Sequence, residues 1–428
     1  MLFSNITVLQ ADGGMLSGAY VGVRDSRIAY VGTQRPAGDW GEEIGGELLL
    51  VPGLVNSHTH VPMTLLRGYG DDMVLDRWLN DRIFPFEDKL TGEDVYWGSL
   101  LGIAEMLASG TVSFTDMYYF CDRIVQAVEE SGIKANIGRG TSCFDPNKSF
   151  HDLPAYADVK ELLRTVHGAA DGRILVDVSP HSEYTTRPDI LADMAELAAE
   201  YGVRMHTHLS ETRKEQLECV ARHGMTPAAL MKETGVLDRP VTLAHCVWLT
   251  EPDMELLAEA PDVTVAHCVK SNLKLASGVA QADKLRRKGI RVAVGTDSAA
   301  SNNALDMLEE MRMAALTAKG VSLDPCVLSA PEVLSMATRE GALSQGRMDC
   351  GDIKEGFRAD IVALRMDTIA MTPAHNPLSN FLYATGRDAV SMTMVDGRIL
   401  YRNGAFPTID IERVRVEAGR RALDIARR

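Results

Sequence analysis

Short apolar runs rich in Val and Ile alternate with longer segments of helical period along most of this chain. Such alternation predicts βα units around a parallel sheet. The runs number eight and cover residues 48–60, 111–117, 135–139, 174–181, 203–211, 241–248, 263–272 and 291–298. Eight strands within about 250 residues suit a closed barrel, whereas an open doubly wound sheet has fewer strands and a Gly-rich first turn. We therefore predict an α/β fold built on a (β/α)8 TIM barrel.

The segments between these runs have helical composition, and several stop at a glycine. Residues 93–109 and 190–201 show the apolar repetition and the Ala, Leu, Met and Glu content of helices. Gly110, Gly132, Gly202 and Gly289 follow such segments directly. Glycine is the usual residue at a helix C-terminus, so these positions predict where a helix ends and the next strand begins.

The two ends of the chain have a different pattern. Residues 19–23 and 27–31 predict a hairpin, and similar runs return at 359–365 and 392–401. We predict that residues 1–50 and 355–428 form one small composite β-sandwich domain, and that residues 51–354 form the barrel.

Composition and charge limit the partners. With 44 Lys+Arg against 59 Asp+Glu, the net charge is -15, which argues against nucleic acid and anionic membranes. No apolar stretch reaches the about 18 residues of a membrane span, and the first ten residues lack the features of a signal peptide. The seven cysteines are widely spaced without a C-x-x-C pair, a pattern typical of proteins whose thiols stay reduced. We expect a cytoplasmic protein.

The residues suited to chemistry lie where predicted strands end, which in a barrel is the face that carries active sites. His58 and His60 share one side of the first strand, because residues i and i+2 point the same way. The fifth strand ends in His206 and His208, the sixth in His245, and the eighth in Asp297. A set of three neutral imidazoles and one carboxylate, drawn from these strand ends, suits Zn²⁺ or a similar divalent ion. Taken singly, His206 is better explained as a buried structural histidine.

Four motifs resemble the amidohydrolase superfamily over nearly the whole chain: residues 51–60 (VPGLVNSHTH), 208–211 (HLSE), 244–246 (AHC) and 295–297 (GTD). Within it, residues 63–68 (MTLLRG), 271–278 (SNLKLASG) and 299–303 (AASNN) resemble the branch that deaminates 5'-methylthioadenosine and S-adenosylhomocysteine. The resemblance implies hydrolytic deamination of a 5'-modified adenosine to the inosine analogue and ammonia. Departures in the loops after strands three, seven and eight keep 5'-deoxyadenosine and adenosine as candidate substrates.

The resemblance also implies roles for individual residues. His58, His60, His208 and Asp297 are expected to bind one divalent metal ion per subunit, with Zn²⁺ as the expected ion. Glu211, His245 and Asp297 are the expected catalytic residues: Glu211 carries a proton from the attacking water to the ring, Asp297 passes one to the leaving ammonia, and His245 stabilises the attacking oxygen. No lysine ends the fourth strand, so a carbamate-bridged pair of metals is not expected.

The expected partner is a small purine nucleoside. By resemblance, Glu87 in residues 84–87 (FPFE) holds the ribose hydroxyls, and Arg139 and His181 occupy the other substrate-binding positions. Trp78 is a candidate for stacking on the purine. Relatives grip the amino-acid tail of S-adenosylhomocysteine with a further basic residue, and whether Lys148 replaces it stays open. Relatives form dimers or larger assemblies, so we expect a homo-oligomer.

Other functions fit the sequence less well. His181 and Glu183 imitate the H-x-E of cytidine deaminases, but the P-C-x-x-C that must follow is missing. No serine hydrolase, zincin, P-loop or Rossmann motif occurs. The alternatives are an aminohydrolase for guanine, a cytosine-like ring or an s-triazine, and a metal-binding barrel without catalysis.

Overall fold

A computed structural model describes residues 1–428 of the chain. Its strands are β1 (Leu2–Leu9), β2 (Met15–Arg24), β3 (Arg27–Gly32), β4 (Glu43–Gly45), β5 (Leu48–Pro52), β6 (Leu54–Thr59), β7 (Thr111–Tyr118), β8 (Lys134–Arg139), β9 (Ile174–Asp177), β10 (Met205–Leu209), β11 (Val241–His245), β12 (Val263–His267), β13 (Arg291–Val294), β14 (Ile361–Arg365), β15 (Val390–Val395) and β16 (Arg398–Arg402).

The α-helices are α1 (Leu75–Trp78), α2 (Phe84–Glu87), α3 (Gly92–Ala108), α4 (Cys121–Ser131), α5 (Pro154–Thr165), α6 (Ala169–Gly172), α7 (Pro188–Tyr201), α8 (Arg213–His223), α9 (Pro227–Glu233), α10 (Glu251–Glu259), α11 (Val269–Lys274), α12 (Ala282–Arg287), α13 (Met307–Ser322), α14 (Ala330–Ala337), α15 (Arg339–Ser344), α16 (Pro377–Tyr383) and α17 (Ile411–Arg427). Segments of 3-10 helix cover Val61–Leu66, Phe150–Asp152, Val236–Asp238, Ile369–Met371 and Arg387–Ala389, and Leu79–Ile83 forms a π-helical turn. No helix combines the length and the apolar character that crossing a membrane requires.

Eight parallel strands form the centre of the α/β fold. They lie in two sheets, with the orders β6-β7-β8-β9 and β10-β11-β12-β13. A parallel bridge between Val178 and Met205 links the end of β9 to β10. On the other side, the amide of Asp297, just after β13, donates to the carbonyl of His58 in β6 at 2.9 Å. The strand residues are almost all buried, as expected for parallel strands covered by helices.

The first predicted strand, residues 48–60, is wrong as a single element. The structure divides it at Gly53 into β5 and β6, which belong to different sheets. A side chain at Gly53 would place its Cβ 2.4 Å from Val112, so only glycine allows β6 to approach β7 here. The amide of Gly53 donates to the carbonyl of Asp360 at 2.9 Å. This hydrogen bond connects the residue between β5 and β6 to the residue that precedes β14.

The terminal segments meet in one eight-stranded sheet with the order β16-β15-β14-β5-β1-β2-β3, and β4 pairs with β1. A small apolar core that includes Phe3, Val21, Leu50 and Ile361 packs on this sheet, separate from the large core around the parallel strands. The last helix, α17, leaves the sheet and packs on α3, where Arg421 bonds to Asp94 at 3.0 Å.

Helix ends agree with the glycine pattern. Gly110, Gly132, Gly202 and Gly289 follow α3, α4, α7 and α12, and all four have positive φ, between 64° and 89°. A left-handed residue at this position ends the helix without the strain that a Cβ would add.

Candidate active site

Five side chains meet where β6, β10, β11 and β13 end. His58 lies in β6 and His60 directly follows it, His208 and His245 lie on β10 and β11, and Asp297 follows β13. The Nε2 atoms of His58 and His60 each lie 3.5 Å from Oδ1 of Asp297. Two overlapping groups have ligand atoms close enough to share one ion: His58, His60 and Asp297, and His58, His208 and His245.

Backbone carbonyls fix the protonation of two of these imidazoles. Nδ1 of His60 lies 2.5 Å from the carbonyl of Met117, and Nδ1 of His208 lies 2.6 Å from that of His181. A carbonyl only accepts, so Nδ1 carries the proton and Nε2 presents its lone pair to the centre. This is how metal-binding histidines are commonly held.

The remaining histidine of β6 also fits a metal ligand. Nε2 of His58 is buried and has no hydrogen-bond partner, while its Nδ1 lies 2.8 Å from Nε2 of His206. Burial lowers the pKa of His58 to about 4, so its imidazole is neutral at neutral pH. A buried nitrogen without a partner is costly unless an ion completes it, so these residues fit a divalent cation. The hydrogen bond with His206 orients the ring of His58.

Asp297 is held as a carboxylate by three hydroxyl or amide donors. Its Oδ2 accepts from the hydroxyls of Ser271 at 2.6 Å and Ser301 at 2.9 Å, and its Oδ1 accepts from the amide of Ser298 at 2.7 Å. Burial acts to raise its pKa, but the neighbouring His58, His245 and His60 together outweigh burial and leave the pKa well below the usual range. Asp297 is therefore charged and can balance the charge of a cation.

Glu211 and His245 flank the same centre. Both are buried, and burial raises the pKa of Glu211. Burial acts to lower the pKa of His245, but the carboxylates of Glu211 and Asp297 outweigh it, so that pKa is raised. Nδ1 of His245 lies 2.8 Å from Oδ1 of Asn272, which orients the ring. A carboxyl group and an imidazole of this kind can exchange protons with a reactant.

A cavity opens directly above these residues. Glu87, Trp78 and His181 line it, together with His60, His208, Glu211, His245 and Asp297. Burial raises the pKa of Glu87 to about 7, against the opposing effect of the Tyr118 hydroxyl. Burial lowers the pKa of His181 to about 3. The cavity thus combines the strand-end residues with the segment of α1 and α2.

Arg139 lies in a neighbouring cavity that shares Glu87 and His181 with the first. Its Nε donates to Asp158 at 3.2 Å, and its guanidinium stacks over the ring of Tyr119 at 4.9 Å. Lys148 lines neither of the two cavities. Arg139 thus lies outside the lining of the main cavity, and it already has a charged partner in Asp158.

Part of the wall was not predicted from sequence. Three tyrosines and several apolar side chains line the main cavity: Tyr118, Tyr119, Tyr184, Leu75, Leu79, Met117 and Leu275. Tyr118 and Tyr119 directly follow or end β7, so their place at a strand end was the available signal.

Comparisons with known proteins agree with the family resemblance. Residues 49–400 match the Amidohydrolase family. The chain is 40% identical over 426 residues to a 5-methylthioadenosine/S-adenosylhomocysteine deaminase of Moorella thermoacetica, covering 98% of both chains. It is 43% identical over 412 residues to a 5'-deoxyadenosine deaminase of Methanothermobacter thermautotrophicus, covering 96% of this chain and 95% of the relative.

The solved structures extend the agreement to the fold. An adenosine deaminase from Xanthomonas campestris with bound zinc superposes with a TM-score of 0.93 at 33% identity, covering 100% of this chain and 98% of the other. A zinc complex of atrazine chlorohydrolase from Arthrobacter aurescens has a TM-score of 0.91 at 24% identity, covering 98% and 99%, and shares the fold. The resemblance predicted from the strand-end motifs is confirmed.

Proposed function

Because this chain belongs to the amidohydrolase family, we propose that it removes the 6-amino group of a 5'-modified adenosine by hydrolysis. The substrates are 5'-methylthioadenosine, S-adenosylhomocysteine, 5'-deoxyadenosine or adenosine, and the products are the inosine analogue and ammonia. The observation that carries the proposal is the buried histidine and aspartate cluster with Glu211 beside it, at the floor of a cavity. The deaminase relatives, at 40% and 43% identity over nearly the full length, support the choice of nucleoside.

We propose that His58, His60, His208 and Asp297 hold one divalent ion per subunit, with Zn²⁺ as the native metal. The two imidazoles with carbonyl-bound Nδ1, the unpartnered Nε2 of His58 and the charged Asp297 support this set. When bound, such an ion lowers the pKa of water toward about 7 and so supplies hydroxide at neutral pH.

The protein's own groups handle the protons. Glu211 takes a proton from the attacking water and delivers it to N1 of the purine, while the water oxygen forms a bond to C6. His245 donates a hydrogen bond to that oxygen as charge develops on it. Asp297 takes the second proton from the oxygen now bonded to C6 and passes it to the amino group, the C6–N bond breaks, and ammonia leaves. One water is consumed, and C6 ends as the carbonyl carbon of the product.

Other side chains hold the nucleoside. Glu87 accepts hydrogen bonds from the ribose hydroxyls, and His181 contacts the ring. Both line the main cavity and the neighbouring one, which contains Arg139. We propose that the 5' end of the bound nucleoside lies toward Arg139. Trp78 lines the same cavity and supplies a stacking surface for the purine.

We also propose the finer architecture. The bridges between β9 and β10 and between β13 and β6 support closure of the eight strands into a barrel spanning residues 51–354. Residues 1–50 and 355–428 make up the small domain, whose sheet curls into a sandwich, because β2 and β15 contribute to one shared core. The cytoplasmic location and the homo-oligomeric state stay predictions from the sequence.

The proposal is tested by incubating the Zn²⁺-loaded protein with 5'-methylthioadenosine and measuring ammonia and the inosine analogue together. Equal amounts of the two products support hydrolytic deamination. Release of free adenine instead of ammonia contradicts it, because the reaction then cleaves the glycosidic bond.

A further inference from the structure

The turn that carries Glu211 is fixed by a second carboxylate. Glu215, in the first turn of α8, accepts from the amide of Ser210 through Oε1 and from the amide of Glu211 through Oε2, both at 2.7 Å. Glu215 is 3% exposed, and Ser210 is 0% exposed. The two amides lie between β10 and α8, where no strand or helix partner serves them, and buried amides need one.

The turn is strained and connected to the neighbouring strand end. Ser210 has a φ of 49°, in the left-handed region that side chains disfavour. The carbonyl of Ser210 accepts from the amide of Trp248 at 2.9 Å. Trp248 lies three residues after His245, which ends the neighbouring strand. The Ser210 hydroxyl donates to Gln216 at 3.0 Å. A backbone held in this conformation sets where the Glu211 side chain begins.

We propose that Glu215 is a positioning residue for proton transfer by Glu211. The inference rests on the proposed function, which gives Glu211 that proton. Glu215 does not line the main cavity, so it acts through the backbone of the turn. Its two oxygens each accept from one of the two amides, whereas an amide side chain offers a single acceptor oxygen.

The substitution Glu215→Gln isolates this role with almost no change of shape. One of the two amides then faces an NH2 group, so two donors confront each other and one buried amide loses its partner. We expect the turn to shift and to displace the Glu211 carboxylate from the position in which it reaches the reacting atoms. Displacements of about 1 Å cost roughly 100-fold in rate.

Glu215→Gln, Glu215→Asp and a control, Asp177→Asn, are compared in the full-length Zn²⁺-loaded protein. Asp177 is also a buried carboxylate whose pKa is raised by burial, to about 6, but it does not line the cavity. We measure kcat and KM for 5'-methylthioadenosine per bound metal, and amide hydrogen exchange of residues 209–212. Glu215→Asp retains both oxygens on a shorter side chain, and it is the test variant if Glu215→Gln does not fold.

We expect Glu215→Gln to lower kcat about 10- to 100-fold with KM within about threefold, and Glu215→Asp to lower it less. Exchange at residues 209–212 rises about tenfold or more in the Gln variant, since its amides lose protection. Asp177→Asn lowers the melting temperature but leaves kcat and this exchange near wild type.

Unchanged exchange, or kcat per bound metal within about twofold of wild type in both Glu215 variants, overturns the positioning role. Failure of the proposed function has a different signature. In that case the wild-type protein deaminates no adenosine, while Glu215→Gln still accelerates exchange in the turn.

Discussion

The Nε2 atoms of His60 and His208 lie 3.2 Å apart, with no proton available to either. Each ring uses its Nδ1 proton on a backbone carbonyl, so two lone pairs face each other in a buried site. Burial acts to lower the pKa of both rings, which keeps them neutral. Such an arrangement is unfavourable until a cation lies between the nitrogens.

Metal binding is therefore expected to stabilise the fold. Removing the ion with a chelator lowers the melting temperature, and Zn²⁺ restores it, because an ion that binds only the folded state at 100 times its Kd adds about 2.7 kcal/mol. Thermal unfolding and metal analysis check this, with one equivalent of Zn²⁺ expected. A His60→Ala variant that binds and responds to Zn²⁺ like wild type would show that the site lies elsewhere.

Glu211→Gln is expected to lower kcat about 10²- to 10⁴-fold, the usual contribution of a positioned acid or base. The metal content stays at one equivalent, since Glu211 is not among the proposed ligands. Burial raises the pKa of Glu211, and the carboxylate form must accept the proton. Activity of the wild type accordingly falls as the pH drops through that raised pKa. A variant with the wild-type kcat and the same acidic limb rules out this role for Glu211.

Glu87 gives a second pH dependence. Burial raises the pKa of Glu87 to about 7, so the carboxylate that accepts from both ribose hydroxyls forms as the pH rises through about 7. We expect kcat/KM for 5'-methylthioadenosine to increase over this range, and Glu87→Gln to reduce it about 10- to 100-fold, the loss of a hydrogen bond to a charged group. With 2',3'-dideoxyadenosine, which lacks the hydroxyls, wild type and variant should not differ. An equal loss on that analogue contradicts ribose recognition.

The Arg139–Asp158 pair predicts a substrate preference. Asp158 already pairs with the guanidinium of Arg139, which lies in the cavity next to the proposed nucleoside site. The carboxylate of S-adenosylhomocysteine must therefore compete with Asp158 for Arg139. Asp158→Asn is expected to raise kcat/KM for S-adenosylhomocysteine relative to 5'-methylthioadenosine by up to about fivefold, because half-exposed pairs are worth about 0.2–1 kcal/mol.

The matched control is Asp189→Asn, since Asp189 pairs with Arg187 at 2.7 Å on the neighbouring helix and lines neither cavity. The substrate ratio should stay constant in this control. If the ratio changes equally in both variants, a general loss of negative charge explains it, and the specific competition at Arg139 is refuted.

The sequence predicted the parallel strands and the histidine cluster well, because both depend on local pattern. Alternation along β6 is enough to place His58 and His60 on one side, and glycines such as Gly132 end helices by their own conformational freedom. The break at Gly53 could not be predicted, because it depends on the close approach of Val112 from another strand. Glu215 was missed for a similar reason: its role arises only when α8 turns back onto Ser210 and Glu211.

The most direct test follows ammonia release and purine absorbance from the Zn²⁺-loaded protein, with S-adenosylhomocysteine, 5'-methylthioadenosine, 5'-deoxyadenosine, adenosine and guanine in parallel and Glu211→Gln as the control. We predict turnover of at least one 5'-modified adenosine, lost in the variant. No turnover of any adenosine, with one metal bound per chain, would contradict the proposed function and direct the search to guanine, pyrimidines and triazines.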